Sequence, residues 1–360
     1  MLYIGLDVHA KWTTMVGFDP HTGQVVKLER IPNEGEAMRA AVGTLAGPLH
    51  GVMEAGTNSW AMYRELRPLF HELTVADPAK LWNRRTDRGA KTDRRDALRM
   101  AEMLYRGEIK GIRLRGRRSS ASADEGVYVP DERTQDLRVL VRGKVKASRW
   151  VTRLTNEIGS LLRSWGYVGE RSLLTKRGMA NLDQAQLPKH SARVLSLWRE
   201  MLEKAQQIEQ ELEAAVDEEA SADPTCQLLQ TMPSVGPFTA LLLRAEIGDV
   251  DRFSGSEKLV SYIGLAPRVY QSGDRCFYGK LGPWGNRWLR YGLGLFAQRI
   301  ARCHQDTTFH RLYWRTCLRG HRNSAKMAVA RKAAELIYHL LSHGEPWQDT
   351  IKEEGITVAA

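Results

Sequence analysis

Two long stretches of this 360-residue chain repeat apolar residues at helical spacing, and this repetition constrains the fold more than any other feature. In residues 131–165 the apolar positions are separated by alternating steps of three and four, and residues 192–220 carry a similar stripe. Such a stripe predicts an amphipathic helix that buries one face against a partner. The two stretches have similar length, so we expect a long antiparallel coiled-coil arm over 131–223 that also offers a dimer contact.

Before this arm, strand-like and helix-like segments follow one another in the order β-β-β-α-β-α-β, closed by a helix at about 92–105. The first three segments, 2–8, 12–18 and 24–31, predict a meander with a tight turn after the second strand. This order is typical of an α/β domain in which helices cover a sheet. We therefore expect a mixed-sheet domain over 1–130, with a flexible Arg- and Ser-rich basic loop at about 111–126.

After the arm, the pattern predicts a mostly helical domain over 224–345 and a tail at 346–360. Short helical segments are separated by glycines. Residues 233–240 resemble the hairpin of a helix-hairpin-helix element, in which Gly236 lets backbone amides approach a phosphate. An ordinary tight turn between core helices is the alternative interpretation. The predicted fold class is α/β plus α.

Positive charge is concentrated in two segments. The chain has 53 Lys and Arg against 42 Asp and Glu, a formal net charge of +11. Residues 80–118 hold 14 basic and 5 acidic side chains, and residues 268–332 hold 14 basic and 2 acidic ones. The aromatic residues within these segments include Trp82, Tyr105, Tyr270, Trp284, Trp288 and Trp314. Basic groups bind phosphates and aromatic rings stack on bases, so we expect a nucleic-acid partner; a solvated surface is the alternative for either segment alone.

Membrane and secretory classes are not favoured. No run approaches the roughly 18 apolar residues that a membrane-spanning helix requires. The first residues lack the basic and apolar regions of a secretory signal, and the four cysteines contain no C-x-x-C pair. We therefore expect reduced cysteines, no membrane partner and a cytoplasmic protein.

Four acidic residues stand where the α/β pattern could collect them at one site. Asp7 lies inside an apolar strand, where an unpaired carboxylate is unfavourable unless a cation compensates it. Glu54 ends the fourth predicted strand, while Asp93 and Asp96 are three residues apart on a predicted helix and share a face. Such carboxylates suit Mg²⁺ (or Mn²⁺) and phosphoryl transfer. A helix cap or a surface ion pair is the alternative for each acid alone.

Two further sets of potential ligands are left outside the predicted site. A cluster rich in sulfur and imidazole fits no zinc-ligand spacing, so zinc is not expected there. Its members are Cys303, His304, His310, Cys317 and His321. His9 follows Asp7 by two residues and is interpreted either as a support for the ligands or as a strand residue that faces solvent.

Several motifs resemble one family of enzymes in the order in which they occur. Those of the first half resemble the DEDD signature of a RuvC-like, ribonuclease-H-type domain, and those of the second half resemble a transposase domain. The motifs are Gly5-Leu6-Asp7-Val8-His9, Glu54, Lys91 to Ala97, Met232 to Ala240, Glu246 to Asp249, Arg252-Phe253, Gly264 to Pro267, Gln271-Ser272-Gly273, Gly279, Gly285-Asn286 and Leu289-Arg290. Together they are similar to the DEDD transposases of insertion-sequence family one-ten, also called bridge-RNA-guided recombinases.

This resemblance implies an enzyme that cuts and rejoins donor and target DNA, guided by a noncoding bridge RNA. It implies a RuvC-like domain, a coiled-coil arm and a C-terminal transposase domain. By the same resemblance, the metal-binding acids are Asp7, Glu54, Asp93 and Asp96, and Ser272 is the nucleophile that forms a covalent phosphoserine intermediate. The resemblance also implies an active site that is composed across the protomers of a homodimer or homotetramer. It further implies a nucleoid-associated protein of a bacterium or archaeon.

Residues near these motifs are expected to contact nucleic acid. They combine basic side chains with glycines that permit close backbone approach, and they would position phosphates without reading bases. The expected contacts are Lys91, Arg94, Arg95, Arg113, Arg115, Gly236, Gly273, Lys280, Arg287 and Arg290. Taken without its motif, Ser272 followed by glycine would be interpreted as part of a turn.

Two other function classes stay open. One is a Mg²⁺-dependent, RuvC-type, structure-specific endonuclease that hydrolyses DNA with water and needs no serine. The other is a noncatalytic nucleic-acid-binding protein. Substitution of Ser272 separates the recombinase from the endonuclease, and substitution of Asp7 and Glu54 separates both enzymes from the binding protein.

Overall fold

The chain divides into two compact units, Met1–Pro130 and Asp131–Ala360, each with its own apolar core. Within the described residues, no helix combines the length and the apolar character that crossing a bilayer requires. The computed structural model describes residues 1–78, 81, 92–109, 127–167, 186–272, 275–282, 284–302 and 307–348.

The first unit is built on a five-stranded mixed sheet. Its strands are β1 (Leu2–Val8), β2 (Trp12–Asp19), β3 (Gln24–Pro32), β4 (Leu49–Glu54) and β5 (Glu72–Ala76). They are arranged in the order β3-β2-β1-β4-β5, so β1 is the central strand. β1 is antiparallel to β2 and parallel to β4, and the carboxyl ends of β1 and β4 therefore meet at one edge of the sheet.

Helices cover both faces of this sheet. They are α1 (Gly35–Gly43), α2 (Ser59–Leu66) and α3 (Asp93–Tyr105). Ile4 and Leu6 of β1 share a core with residues of α1 and α2, whereas Val52 of β4 packs with Met100 and Met103 of α3. Because side chains alternate along a strand, Gly5 and Asp7 belong to the face that α3 covers. The α/β order expected from the sequence is confirmed.

The second unit is mostly helical, as predicted. Its long helices are α4 (Glu132–Ser164) and α5 (Lys189–Ala222). The shorter elements are α6 (Pro224–Gln230), α7 (Pro237–Ile247), α8 (Ser256–Ile263), β6 (Pro267–Ser272), β7 (Arg275–Leu281), α9 (Arg287–Arg302), α10 (Thr308–Arg319) and α11 (Arg322–His343). The antiparallel β6–β7 ribbon is an exception to the helical pattern predicted for this region.

The two long helices lie antiparallel along each other. Arg133 contacts Glu219 at one end of the pair, Ser148 contacts Glu209 in the middle, and Trp165 contacts Ser191 at the other end. Between these contacts, apolar side chains such as Val151, Ile158 and Leu202 form a separate core that belongs only to this part of the chain. The amphipathic stripes thus bury their apolar faces against each other.

A buried charge joins α4 to the shorter helices. The Glu246 carboxylate of α7 is fully buried and accepts two hydrogen bonds from Arg142, at 2.6 and 2.9 Å. Asn286 donates a third at 2.8 Å, and its own side-chain oxygen accepts from the backbone of Trp288 at the start of α9. Arg138 donates to the backbone carbonyls of Ala245 and Glu246. A buried carboxylate needs this degree of pairing, because an uncompensated one is strongly unfavourable.

We expect Arg142→Met to lower the free energy of unfolding by about 3 kcal/mol, because it leaves the buried Glu246 carboxylate without its two-point partner. Urea unfolding would measure the change. Arg153→Met is the matched control on the same helix: Arg153 is 81% exposed beside Glu157, and its loss should change stability by less than about 0.5 kcal/mol. Equal unfolding midpoints for the two variants would contradict the importance of the buried pair.

Candidate active site

Asp7 lies near the end of the central strand, on the face covered by α3. A Cβ atom at Gly5 would lie 1.8 Å from the carbonyl oxygen of Ala97, so only glycine lets the backbone of α3 approach β1 this closely. Asp7 is two residues further along the same face, with its side chain 16% exposed. The close packing at Gly5 therefore brings the first turn of α3 to Asp7.

That first turn carries Asp93 and Asp96. Thr92 begins the helix, because its hydroxyl oxygen accepts a hydrogen bond from the backbone N–H of Arg95 at 3.3 Å. Acidic residues in a first helical turn are favoured by the helix dipole. Both carboxylates act on Asp7, since each negative charge raises the pKa of the Asp7 carboxyl group.

His9 joins this group, although its sequence context alone does not place it in the site. Its Nε2 atom lies 3.2 Å from Oδ2 of Asp7 and 3.3 Å from Oδ2 of Asp93. The backbone carbonyl of His9 accepts hydrogen bonds from the side-chain amides of Asn33 and Asn58, which fix the turn after β1. His9 lies two residues after Asp7, just beyond the end of β1, and this spacing is the only sequence signal for its position. Nothing in the sequence marks the two asparagines.

Glu54 is the last residue of β4. Leu6 of β1 pairs with Met53 of β4, so Glu54 follows at the level of Asp7 on the neighbouring parallel strand. This confirms the expected pairing of the first and fourth strands. Among the described residues, Asp7, His9 and Asp93 are the one group of at least three potential ligands with donor atoms within 4.8 Å of one another.

The electrostatics of the group favour a bound cation. Burial raises the pKa of Asp7, the His9 imidazole lowers it, and the charges of Asp93 and Asp96 raise it further. The Nε2 atom of His9 is itself buried, and an oxygen of Asp7 and an oxygen of Asp93 lie within 3.3 Å of it. An imidazole nitrogen and carboxylate oxygens that converge in this way are a suitable ligand set for a divalent metal.

We expect His9→Gln to weaken Mn²⁺ binding about 10-fold, because it removes an imidazole nitrogen from the carboxylate pair. Calorimetric titration of the purified protein with Mn²⁺ would measure the affinity. His21→Gln is the matched control, since His21 lies in the exposed turn after β2. If both variants bind Mn²⁺ as tightly as the unchanged protein, His9 has no part in holding the metal.

Ser272 belongs to the second unit, whereas all four acids belong to the first. It is the last residue of β6 and pairs with Arg275 of β7 in the register of the ribbon. Taken alone, a serine before glycine predicts a turn. In the structure Ser272 is a strand residue next to a two-residue link, and the link itself, 273–274, lies outside the described residues.

The residues expected to contact nucleic acid have different surroundings. Arg94 and Arg95 are exposed at the start of α3, and Arg287 is exposed at the start of α9. The Arg290 guanidinium donates to the backbone carbonyls of Ile263 and Trp284, so it also fastens the segment before α9. Outside the described residues lie Lys91, Arg113, Arg115, Gly273 and the basic loop at 111–126; of Lys280 only the backbone is described.

Of residues 233–240, the first four lie in the link between α6 and α7 and the last four begin α7; a hairpin and an ordinary turn between helices both fit this arrangement. Gly236 directly precedes α7, and a Cβ atom there would lie 3.4 Å from a guanidinium nitrogen of Arg299. Of the cysteine and histidine cluster, Cys303 and His304 lie outside the described residues. His310, Cys317 and His321 do not converge as a ligand group in the described part of the chain.

A mixed sheet with acids gathered at the end of its central strand, in a chain that also contains a basic helical unit, is typical of enzymes that cut or transfer nucleic-acid strands. Comparison with known families agrees. A DEDD transposase model of the IS110 group matches residues 4–166, and a model described as transposase of the IS116/IS110/IS902 family matches residues 226–313. The chain belongs to the IS110 family of DEDD transposases, and it is a DNA transposase.

Individual relatives support this assignment. The transposase for insertion sequence element IS1111A of Coxiella burnetii is 29% identical over 361 residues, covering 96% of this chain and 91% of the relative. The transposase for insertion sequence element IS1328 of Yersinia enterocolitica is 25% identical over 301 residues, covering 81% of this chain and 83% of the relative. A pilin gene-inverting protein of Moraxella bovis is 30% identical over 128 residues, covering 35% and 39% of the two chains.

Proposed function

We propose that this transposase cuts and rejoins donor and target DNA under the guidance of a noncoding bridge RNA. The observation that carries the proposal is the meeting of Asp7, His9 and Asp93 at the end of the central strand, in a chain similar to transposases along nearly all its length. In this proposal, residues 1–130 form a RuvC-like catalytic domain, 131–223 a coiled-coil arm and 224–345 the transposase domain with Ser272. The enzyme works at the DNA of a bacterial or archaeal cell.

The four acids, Asp7, Glu54, Asp93 and Asp96, are proposed to hold Mg²⁺ or Mn²⁺. A divalent metal bound there supplies electrostatic stabilisation of the charge that develops on the reacting phosphate. Asp7 must be ionised to act as a ligand. Since burial and the neighbouring carboxylates raise its pKa, the affinity for metal should rise with pH as Asp7 loses its proton. Exposed Arg94 and Arg95, two and three residues beyond Thr92, are proposed to hold the DNA backbone nearby.

Ser272 is proposed to attack the scissile phosphorus. A new P–O bond forms to the serine oxygen, the P–O bond to the leaving strand breaks, and the serine proton ends on the released hydroxyl group. Attack by the hydroxyl of another strand reverses this exchange and releases Ser272. The number of phosphoester bonds stays constant, so rejoining needs no other source of energy. Since the acids and the serine belong to different units, we propose a site composed across protomers of a homodimer or homotetramer.

The first experiment is purification of the protein from its native host at low salt, followed by sequencing of the RNA that accompanies it. We expect one enriched transcript that derives from DNA flanking the gene, with segments complementary to donor and target sites. Those sites, placed on two plasmids with the RNA and the protein, should yield joined donor–target molecules.

An RNA-free preparation that still joins the two plasmids would overturn the guided mechanism while leaving transposition intact. Random RNA combined with no joined product would overturn the proposal in its present form. A preparation treated with ribonuclease before the joining reaction is the control, and it should lose activity that is restored by the added transcript.

A second candidate is a RuvC-type endonuclease that hydrolyses branched DNA with water. The observation that favours it is that the ligand group Asp7, His9 and Asp93 lies wholly within the first unit. Such an enzyme would cut a four-way DNA junction in Mg²⁺ without any contribution from the second unit. Nicked junctions with no protein attached to either strand would favour this function.

A further inference from the structure

The β6–β7 ribbon presents two aromatic residues opposite each other. In its register Tyr270 pairs with Phe277, and Ser272 pairs with Arg275. Residues directly opposite in an antiparallel pair share a face, as do residues two apart along a strand. Tyr270, Phe277, Ser272 and Arg275 therefore occupy one face of the ribbon, which we call the aromatic face.

Both aromatic side chains are exposed, Tyr270 by 56% and Phe277 by 62%. The Tyr270 ring leans over Gly279, where a Cβ atom would lie 2.8 Å from its Cε2 atom. Gly279 is two residues beyond Phe277 and so lies on the same face. Because Gly279 has no side chain, one face of the Tyr270 ring packs against its backbone, and the other face of the ring is open to a ligand. Large exposed aromatic groups placed together on a soluble protein indicate a binding surface.

The charge of this segment determines what kind of ligand fits. Residues 268–290 contain five basic side chains and one acidic side chain. Arg268 is exposed on β6, two residues before Tyr270, and Arg287 is exposed at the start of α9. Aromatic rings flanked by guanidinium groups suit a polyanion whose units have flat faces, which describes a nucleic-acid strand with unpaired bases. A base inside a duplex already stacks on its neighbours, so the open ring requires a base that has left the duplex.

We propose that Tyr270 and Phe277 form a stacking site for unpaired nucleobases. The two side chains position the strand and take no part in the chemistry. The site rests on the proposed function in one respect: the bases it holds are those next to the phosphate that Ser272 attacks. Ser272 is two residues from Tyr270 on the same face of the ribbon, within about 7 Å along the strand. A strand whose bases are stacked there has its backbone held beside the serine while the strands separate and exchange.

Binding of single-stranded DNA by the full-length protein tests this site without any recombination substrate. The probes are a fluorescently labelled dT oligonucleotide of 15 residues and an abasic oligonucleotide of the same length and charge. We expect tighter binding of the dT probe, and roughly 5- to 100-fold loss of that preference in Tyr270→Ala and in Phe277→Ala. Tyr270→Trp should keep it. The dependence of affinity on salt should stay unchanged in all variants, because the phosphate contacts remain.

Trp150→Ala is the matched control, since Trp150 is an aromatic residue exposed by 52% on α4 and lies outside the two basic segments. It should retain the preference for dT. Circular dichroism and thermal unfolding of each variant would show that the fold is kept. A 2-aminopurine base within the dT probe adds a direct signal, since its fluorescence should be quenched by the unchanged protein and not by the double variant Tyr270→Ala/Phe277→Ala.

Equal binding of the dT and abasic probes by the unchanged protein would overturn the stacking site. The site would also be overturned if the double variant bound DNA normally and changed its sedimentation coefficient, since the aromatic face would then cover a second protein chain. Failure of the serine mechanism would give a different pattern. In that case the preference for dT would depend on Tyr270 and Phe277 as expected, and no covalent adduct would form at Ser272.

Discussion

Replacement of Ser272 with alanine is expected to abolish DNA strand cleavage and the covalent protein–DNA adduct together, by about 10,000-fold or more. The reason is that the hydroxyl oxygen is the proposed nucleophile, and the methyl group of alanine cannot form a phosphoester bond. The measurement uses a DNA substrate labelled at the cleavage site, with denaturing gel electrophoresis to separate DNA attached to protein from DNA that is not.

The design distinguishes a missing nucleophile from a damaged fold. Ser272→Ala should bind Mn²⁺ and DNA as the unchanged protein does, because the metal ligands belong to the other unit. Ser261→Ala, on helix α8 of the same unit, is the control that should keep both cleavage and adduct. Normal cleavage by Ser272→Ala, with products carrying no protein, would refute the serine mechanism and favour hydrolysis.

Replacement of Asp7 with asparagine is expected to lower strand cleavage about 1,000-fold and, in the absence of metal, to stabilise the fold. The loss arises because a neutral amide cannot replace the carboxylate as a metal ligand. The gain arises because burial and the charges of Asp93 and Asp96 raise the pKa of Asp7 above its ordinary value of 3.8. The folded state then binds the proton more tightly than the unfolded state, so ionisation of Asp7 destabilises the fold.

The stabilisation should therefore depend on pH. It should be absent below the ordinary pKa of 3.8, grow as pH rises through the raised pKa of Asp7, and be fully present above it. Thermal unfolding in EDTA between pH 4 and 7 would measure it. Asp19→Asn is a control of opposite sign, since a backbone hydrogen bond from His21 lowers the pKa of Asp19. A melting temperature for Asp7→Asn below that of the unchanged protein at neutral pH would contradict the electrostatic account.

The sheet and the long helices could be predicted from sequence because their patterns are local. The strands predicted at 2–8 and 12–18 are observed as Leu2–Val8 and Trp12–Asp19, and the helix predicted at 131–165 is observed as Glu132–Ser164. The β6–β7 ribbon was missed because its local strand pattern is weak. Its strands are short, and polar, aromatic and glycine residues interrupt the alternation of apolar side chains that marks a strand. Two strands joined by a link of two residues were nevertheless a usable signal.

The residues of the candidate site could likewise be predicted from the sequence only in part. Asp93 and Asp96 could be grouped from their spacing, and Glu54 from the expectation that its strand lies parallel to β1. His9 could not be included from sequence, because its ring reaches Asp7 and Asp93 only after Asn33 and Asn58 fix the turn that follows β1. The contribution of Gly5 depends equally on tertiary structure, since the need for glycine arises from the backbone of a helix that lies about 90 residues further along the chain.

The anchorage of α4 at Glu246 has a mechanical consequence. The helix runs for 33 residues, a rod about 50 Å long, and Arg142 fastens it within its first third. Roughly 20 residues of α4 extend beyond Arg142, so a tilt of α4 by about 5° about this point displaces its far end by about 3 Å. Asn286, which holds the same carboxylate, begins the helix that follows the Ser272 ribbon. A force on the far end of α4 is therefore transmitted through Glu246 and Asn286 to the start of α9, which follows the ribbon that carries Ser272.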